Sequence, residues 1–369
     1  MDCSLPASAA AGRSNIVKEF YVMKKNLGFR LFLRVFAALL ALCLLPAAAL
    51  CTGAEVEDID LNNMSSYTLP IDFSPGIAPK AEGFSQSKDE NGNTVRVYED
   101  STIKVTVTEM KYYGPEGKWG YTDIWYADIV ISDASQLRTA SIGKAGKMDF
   151  SKPNDQDSFD KGFERTNAVV AMNGDSWSAS EKQKHGIVLR QGTLIDAYSN
   201  LDSTGKWRMD LLLIDEEGNF HGIHAAQKGD LDDPYTYNGK KIVNIFSFGP
   251  ILVEDGKAVT DYQGTDRERS QKGTWLKMRT EEFSQRAVLC QMGPLHYRIY
   301  TCAGHRSGNR GLTLPEFGEF IASQGAQFAY NMDGGESSVL YFSGYGKVNM
   351  RNTGVRDLWD LIYFASAEP

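Results

Sequence analysis

Cysteine is scarce in this chain, with five in 369 residues. Three of them, Cys3, Cys43 and Cys51, fall in the first 51 residues, so only Cys290 and Cys302 remain beyond that point. Two cysteines cannot staple a disulfide scaffold, and no Cys or His spacing suits a zinc site. An excess of basic charge is also missing. Setting aside the six basic and two acidic residues of positions 1–51 leaves 33 Lys and Arg against 45 Asp and Glu, a net charge of −12. Neutralising a phosphate backbone needs a basic face, so nucleic acid is excluded as a partner. Internal repeats are absent, and so is a second stretch with a core of its own. Helical periodicity is rare.

Long apolar runs occur once. Met23-Lys24-Lys25, Arg30 and Arg34 precede an almost wholly apolar stretch from Val35 to Leu50, followed by small residues. A basic region, an apolar core and small residues read as a secretory signal, or as an uncleaved anchor near the minimum length for a membrane span. Met23 is the natural start for such a signal, although 22 residues stand before it. Leu50 before Cys51 is larger than a lipidation site usually allows. The expectation is an exported bacterial protein, extracellular or anchored through this leader to the outer face of the cytoplasmic membrane. Residues 52–92, rich in Asp, Asn, Ser, Pro and Gly, read as a linker or stalk. Residues 93–369 read as one domain.

Within that domain, alternation and turn signals dominate. Thr102–Thr108 alternates strictly, Ile124–Ile131 is a more buried run, and Val169–Met172 is a short buried strand. Gln191-Gly192 and Asp255-Gly256 mark hairpin turns. One helix is clear: Thr313 is its N-cap, Pro315 lies in the first turn, Leu314, Phe317, Phe320 and Ile321 share a face, and Gly325 ends it. The fold class is α+β, a strand-rich mixed sheet with few helices. Cys290 and Cys302 lie in two runs joined by Gly293-Pro294-Leu295-His296. If these form a hairpin, the pair is either a disulfide or two buried free thiols.

Chemistry concentrates in Asn331-Met332-Asp333-Gly334-Gly335-Glu336-Ser337-Ser338, a tight turn between two apolar runs. Glycines let backbone N–H groups converge and let a ligand approach, while the acids and hydroxyls supply reactive groups. Other polar clusters also follow or start buried strands: Asn173-Gly174-Asp175 with Trp177, Arg286, and Gly304-His305-Arg306. Such strand ends are where side chains converge on a cleft.

The segments AMNGDSW (171–177), GIVLRQGTL (186–194), SFGPILVEDG (247–256), RAVLCQ (286–291), GLTLPEFGEFIASQGAQFAYNMDGGESS (311–338) and RDLWDLIYF (356–364) together resemble the phosphodiester glycosidase family. The likeness spans roughly residues 165 to 365. That family includes the lysosomal enzyme that uncovers mannose 6-phosphate by removing N-acetylglucosamine, and bacterial relatives described as exopolysaccharide-related. The resemblance implies hydrolysis of a sugar-1-phosphodiester, on an extracellular or envelope glycan. Asp333 is then the first-choice catalytic carboxylate, Asp175 its partner, and Asn173 an orienting group. Arg286, Arg306, the N–H groups of Gly334 and Gly335, and the hydroxyls of Ser337 and Ser338 would meet the phosphate. Asn331 would face sugar hydroxyls. Two departures stand out: Glu336 replaces a usual third glycine, and Ala303-Gly304-His305-Arg306 replaces an Asp-Gly-Arg triplet. No cofactor is required. Asp175, Asp333 and Glu336, or the loop of Asp230, Asp232 and Asp233, would offer oxygens to a hard cation such as calcium. The rival reading is a non-catalytic surface protein that binds glycan on the same fold.

Overall fold

The computed structural model describes residues 64–114, 120–151, 156–175, 186–197, 209–226, 229–262, 280, 282–304, 309–349 and 356–369. The chain divides into two units, Met1–Asp58 and Ile59–Pro369, and every described residue belongs to the second. The leader, Trp177, His305 and Arg306 lie outside the described residues.

In chain order the strands begin with β1 (Phe84–Lys88), β2 (Thr94–Glu99), β3 (Ile103–Tyr112), β4 (Thr122–Ile131) and β5 (Leu137–Ser141). Next come β6 (Ala168–Asn173), β7 (Val188–Arg190), β8 (Thr193–Asp196), β9 (Met209–Asp215) and β10 (Phe220–Ala226). Then follow β11 (Thr236–Tyr237), β12 (Lys240–Phe248), β13 (Ile251–Glu254), β14 (Lys257–Ala258) and β15 (Arg286–Gly293). The last are β16 (His296–Cys302), β17 (Phe328–Met332), β18 (Leu340–Phe342), β19 (Gly346–Lys347) and β20 (Asp360–Ala365). Among the described residues the α-helices are α1 (Phe159–Thr166) and α2 (Leu314–Ser323). As the sequence indicates, Thr313 caps α2, its hydroxyl accepting from the Glu316 N–H at 3.3 Å.

A nine-stranded sheet runs β1-β2-β3-β4-β16-β15-β17-β13-β14, a second runs β10-β9-β12-β7-β8 with β11 beside β12, and a third runs β19-β18-β6-β20-β5. The strand-rich α+β class holds. Where a mixed sheet is the expectation, every pairing among the described strands is antiparallel. Parallel neighbours need long crossovers, whereas many of these strands are joined by tight turns. Gln191-Gly192 and Asp255-Gly256 both adopt positive φ, as two-residue hairpin turns require.

Alternation sorts side chains between two sides of each sheet. Ala287 and Leu289 of β15, Tyr330 and Met332 of β17, Val170 and Met172 of β6, and Ile362 and Phe364 of β20 join Leu212 and Phe246 in one central core. The opposite face of the large sheet, with Val288, Cys290 and Ala329, packs on Leu314, Phe317 and Ile321 of α2. The outer face of the third sheet, with Ala171, Leu361 and Tyr363, packs on Phe159 of α1.

One expectation is corrected, and the open alternative for the two cysteines resolves to buried free thiols. The stretch assigned to a linker is structured from residue 64 onward: it contains β1, and Ile77 bridges Ser366. It lacks apolar periodicity because much of its attachment is polar. Buried Arg138 donates to the carbonyls of Pro70, Asp72 and Ser74 at 2.8, 3.0 and 2.9 Å. Phe84 adds a contact with the Tyr98 ring at 4.6 Å. The cysteines do not face each other either. Cys290 stands opposite Arg298 and Cys302 opposite Arg286, and both thiols are free and buried. Four positions of offset along the strands separate them by about 13 Å.

Candidate active site

The turn singled out in the sequence is no simple hairpin. It leaves β17 in the nine-stranded sheet at Met332 and enters β18 in the third sheet at Leu340. The site therefore sits where strand ends from different sheets meet. Gly334 is required for close approach, since a Cβ there would lie 2.6 Å from the carbonyl oxygen of Gln285. Gly335 has φ +59 and opens a 3-10 turn through Ser337.

A cleft of about 340 Å³ opens here, lined by Ser284, Gln285, Gly304, Asp333, Gly334, Gly335, Glu336 and Arg356. The Asp333 side chain is 13% exposed. Its Oδ2 accepts from Ser337 Oγ at 2.6 Å and from Arg356 Nη2, while Arg356 Nε donates to Ser337 Oγ at 2.7 Å. Carboxylate, hydroxyl and guanidinium thus form a closed triangle. Burial raises the Asp333 pKa above the ordinary carboxylate value; the Arg356 charge and the Ser337 bond oppose the rise, and Asp175 adds to it.

The structure distributes the expected site residues unevenly. Asp333 and Glu336 line the cleft, with Glu336 exposed. Asn173 sits behind it: its Nδ2 donates to the Asp333 carbonyl at 2.8 Å and its Oδ1 accepts from Val339 N–H at 3.2 Å, which fixes both ends of the turn. Asp175 is fully buried, with Oδ2 3.0 Å from Arg190 and accepting from the Ser247 N–H at 3.1 Å. It stands below the cleft rather than in its lining.

Several expected phosphate donors are already engaged. Arg286 donates to the carbonyls of Leu312 and Glu282 at 3.2 and 2.7 Å, because position 286 falls on the α2 side of the sheet. The Gly335 N–H donates to the Gln285 carbonyl at 3.0 Å. Buried Ser338 donates to the Arg286 carbonyl at 2.9 Å, and Ser337 is committed to Asp333. Asn331 is 2% exposed and donates to the Gly249 carbonyl at 2.8 Å, away from the cleft lining. Arg306 lies outside the described residues.

Arg356 and Gln285 are cleft residues that the sequence pattern left without a role. Gln285 is 4% exposed, and its side-chain Nε2 has no hydrogen-bond partner. The sequence signal for Gln285 is its place directly before Arg286 at a strand start. Arg356 opens the RDLWDLIYF segment, where a charge precedes an apolar strand. Arg190 and Asp360 carry the same signal, a charge at the end of an apolar run, and both are buried.

Among the described residues no group of three or more His, Cys, Asp or Glu is placed to hold a metal ion. Asp175 faces Arg190, so it does not join Asp333 and Glu336 as an oxygen ligand set. Asp233 accepts from the Tyr235 N–H and the Thr236 hydroxyl at 3.0 and 2.7 Å. No helix among the described residues is long and apolar enough to cross a membrane.

Comparison with known proteins agrees with the motif pattern. The catalytic domain of zebrafish N-acetylglucosamine-1-phosphodiester alpha-N-acetylglucosaminidase, auto-inhibited by its pro-peptide, matches with a TM-score of 0.53 at 14% identity, over 84% of this chain and 99% of that one. A hypothetical protein from Synechocystis matches with a TM-score of 0.42 at 10% identity, over 81% of each chain. No curated protein matches. The sequence profile of the phosphodiester glycosidases covers residues 166–364, more than half of the chain and every residue that lines the cleft. The chain belongs to the phosphodiester glycosidase family.

Proposed function

We propose that this protein hydrolyses a glycosyl-1-phosphodiester at the sugar side. The bond from the anomeric carbon to the phosphate oxygen breaks, its electron pair leaves with the phosphomonoester, and water adds to the carbon. The observation that supports this most directly is Asp333 at the cleft wall, joined to the half-exposed guanidinium of Arg356. An oxocarbenium-like transition state needs a carboxylate near the anomeric carbon. A carboxyl with a raised pKa suits acceptance of the water proton. Arg356 meets the charge of the departing phosphate, taking the part the sequence reading gave to Arg286. The Gln285 amide is a donor for a substrate oxygen, and Glu336 adds a second carboxylate to the lining. A volume of about 340 Å³ suits one sugar with its phosphate.

The leader of basic and apolar residues supports export, with the substrate on an extracellular or envelope glycan. The rival, glycan binding without catalysis, draws on exposed Glu336 where the family pattern has glycine. A panel of sugar-1-phosphodiesters separates the two, with phosphomonoester release followed by phosphorus NMR. Wild-type protein should release it, and Asp333→Asn should be slowed by about 10³-fold or more with binding retained. Binding without release in the wild type, or full turnover in Asp333→Asn, would refute the proposal.

A further inference from the structure

A second crevice, of about 160 Å³, shares no lining residue with the active-site cleft. It lies where the segment before β1 meets β5 of the third sheet and β9 and β12 of the second. Leu137 at the start of β5, Ile214 of β9 and Val243 of β12 supply its apolar part, and Thr68 and Ile71 come from the crossing segment. The lining also holds the carboxylates of Asp133, Asp215 and Glu216, and among the described residues it contains no Lys, Arg or His.

Buried polar atoms are nearly always paired, and Gln191 in this lining is an exception. It is 4% exposed, and its Oε1 has no hydrogen-bond partner. The rest of the residue is fixed. Its N–H donates to Asn244 Oδ1 at 3.0 Å, and the N–H of Gly192 donates to the Val243 carbonyl at 2.8 Å. Its Nε2 donates to the Asp72 carbonyl at 3.2 Å. Turning the amide over would set two acceptors face to face, so the orphaned atom is the oxygen. Asp133 brings charge to the same crevice. Its Oδ1 accepts from the Ser135 N–H at 2.9 Å as the cap of the turn Ala134–Gln136, whereas Oδ2 has only Thr68 Oγ1 at 3.5 Å, the outer limit of a hydrogen bond.

We propose that this crevice binds a small organic cation, a primary ammonium on a short apolar chain. The ammonium donates to Gln191 Oε1 and lies against the Asp133 carboxylate, and the chain covers Leu137, Ile214 and Val243. An ammonium is a donor with no acceptor, which matches a lining whose open atoms are acceptors, and its charge strengthens each bond. The other charges are already matched. Asp215 accepts from the N–H groups of Glu217 and Asn219 at 3.0 and 2.8 Å and stands 2.9 Å from His221 Nε2, and Glu216 lies 3.6 Å from Lys241. Arg138, next to Leu137, is committed to the carbonyls of Pro70, Asp72 and Ser74 and to the Asp72 carboxylate at 3.3 Å. A volume below that of ordinary drug-sized pockets restricts the ligand to a compact molecule. The site stands apart from the catalytic reading and does not depend on it.

Titration of the full chain with n-butylammonium at fixed ionic strength, followed by two-dimensional nitrogen-15 NMR, tests the site. The side-chain amide of Gln191 and the backbone amides of Ser135 and Asn244 should shift and saturate together. 1-Butanol, of the same length but without charge, should bind about tenfold or more weakly. Asp133→Asn keeps the Oδ1 that caps the turn and removes the charge, so it should fold and weaken n-butylammonium by about tenfold or more. Gln191→Met removes the acceptor at similar length and should weaken it as well. No saturable shift at these residues, or unchanged affinity in Asp133→Asn, would overturn the inference. So would equal binding of 1-butanol, which would mark an apolar pocket whose amide oxygen is served by water. Neither variant touches a catalytic residue, and phosphomonoester release plays no part in the readout.

Discussion

Replacing Arg356 by alanine probes the cleft at its most informative contact. The guanidinium bonds Asp333 Oδ2 and Ser337 Oγ at once, and it is the strongest influence holding the Asp333 pKa down. A charge-assisted hydrogen bond contributes about 1.5–3 kcal/mol net. The Arg356 side chain is 46% exposed, so solvent screening reduces this to ~1–1.5 kcal/mol, or about one pH unit on Asp333. The sign follows from the loss of a positive neighbour: Asp333 holds its proton to higher pH. The acid limb of kcat/KM should therefore move up by about one unit. Loss of the charge that meets the departing phosphate should add a further 10²- to 10³-fold fall at the pH optimum, a range typical of removing one such donor. Arg356→Lys keeps the charge but not the two-pronged geometry and should fall between, at roughly a tenfold loss. The assay is phosphomonoester release from a sugar-1-phosphodiester across pH. Activity within about twofold of wild type in Arg356→Ala, with the limb unmoved, would refute this reasoning.

Three further outcomes can be checked on the folded protein. Gly334→Ala pushes a Cβ to 2.6 Å from the Gln285 carbonyl, whereas Gly335→Ala meets no atom and is disfavoured only by φ +59. Denaturant titration should show the first losing about 2–3 kcal/mol and the second about 1. His224 is raised to about 9 by the Asp210 carboxylate 3.6 Å away, with burial opposing and the 3.0 Å hydrogen bond to Glu254 contributing. Its stabilisation is fully present below about pH 6.5 and is lost as pH rises through about 9; allowing for a 32% exposed side chain, the amount is ~1–2 kcal/mol, and His224→Gln should flatten that dependence in urea melts. Burial drives the Cys302 thiol up to about 12 and the Cys290 thiol up as well. A thiol reagent should leave both untouched in the native protein and label both after unfolding.

The local grammar of the chain was legible without coordinates. The helix cap at Thr313, the Asp255-Gly256 turn, the buried strands around residues 170, 288 and 330 and the functional turn at 331–338 all depend on residues close in sequence. Propensity, periodicity and turn chemistry act over such distances. Cross-strand register is different, because it depends on where partner strands align. That is why Cys290 and Cys302 read as potential neighbours and stand opposite arginines instead. The linker assigned before residue 93 failed for a related reason: Arg138, far along the chain, supplies the carbonyl bonds that hold residues 70–74.

The candidate site divides along the same line. Residue types marked the turn at 331–338 as functional, the family resemblance implied Asp333 as its carboxylate, and Asp333 lines the cleft. Sequence could not say that Asp175 turns inward to Arg190, that Arg286 points to the α2 side, or that Ser337 and Ser338 are already bonded. Nor could it promote Arg356 over Arg286, since the two are 70 positions apart in the chain and only one reaches Asp333. The sequence by itself determined a strand-rich α+β chain carrying a phosphodiester glycosidase turn. Which acids face solvent and which share a buried guanidinium was decided by the meeting of three sheets, because side-chain direction and desolvation depend on neighbours that only folding brings together.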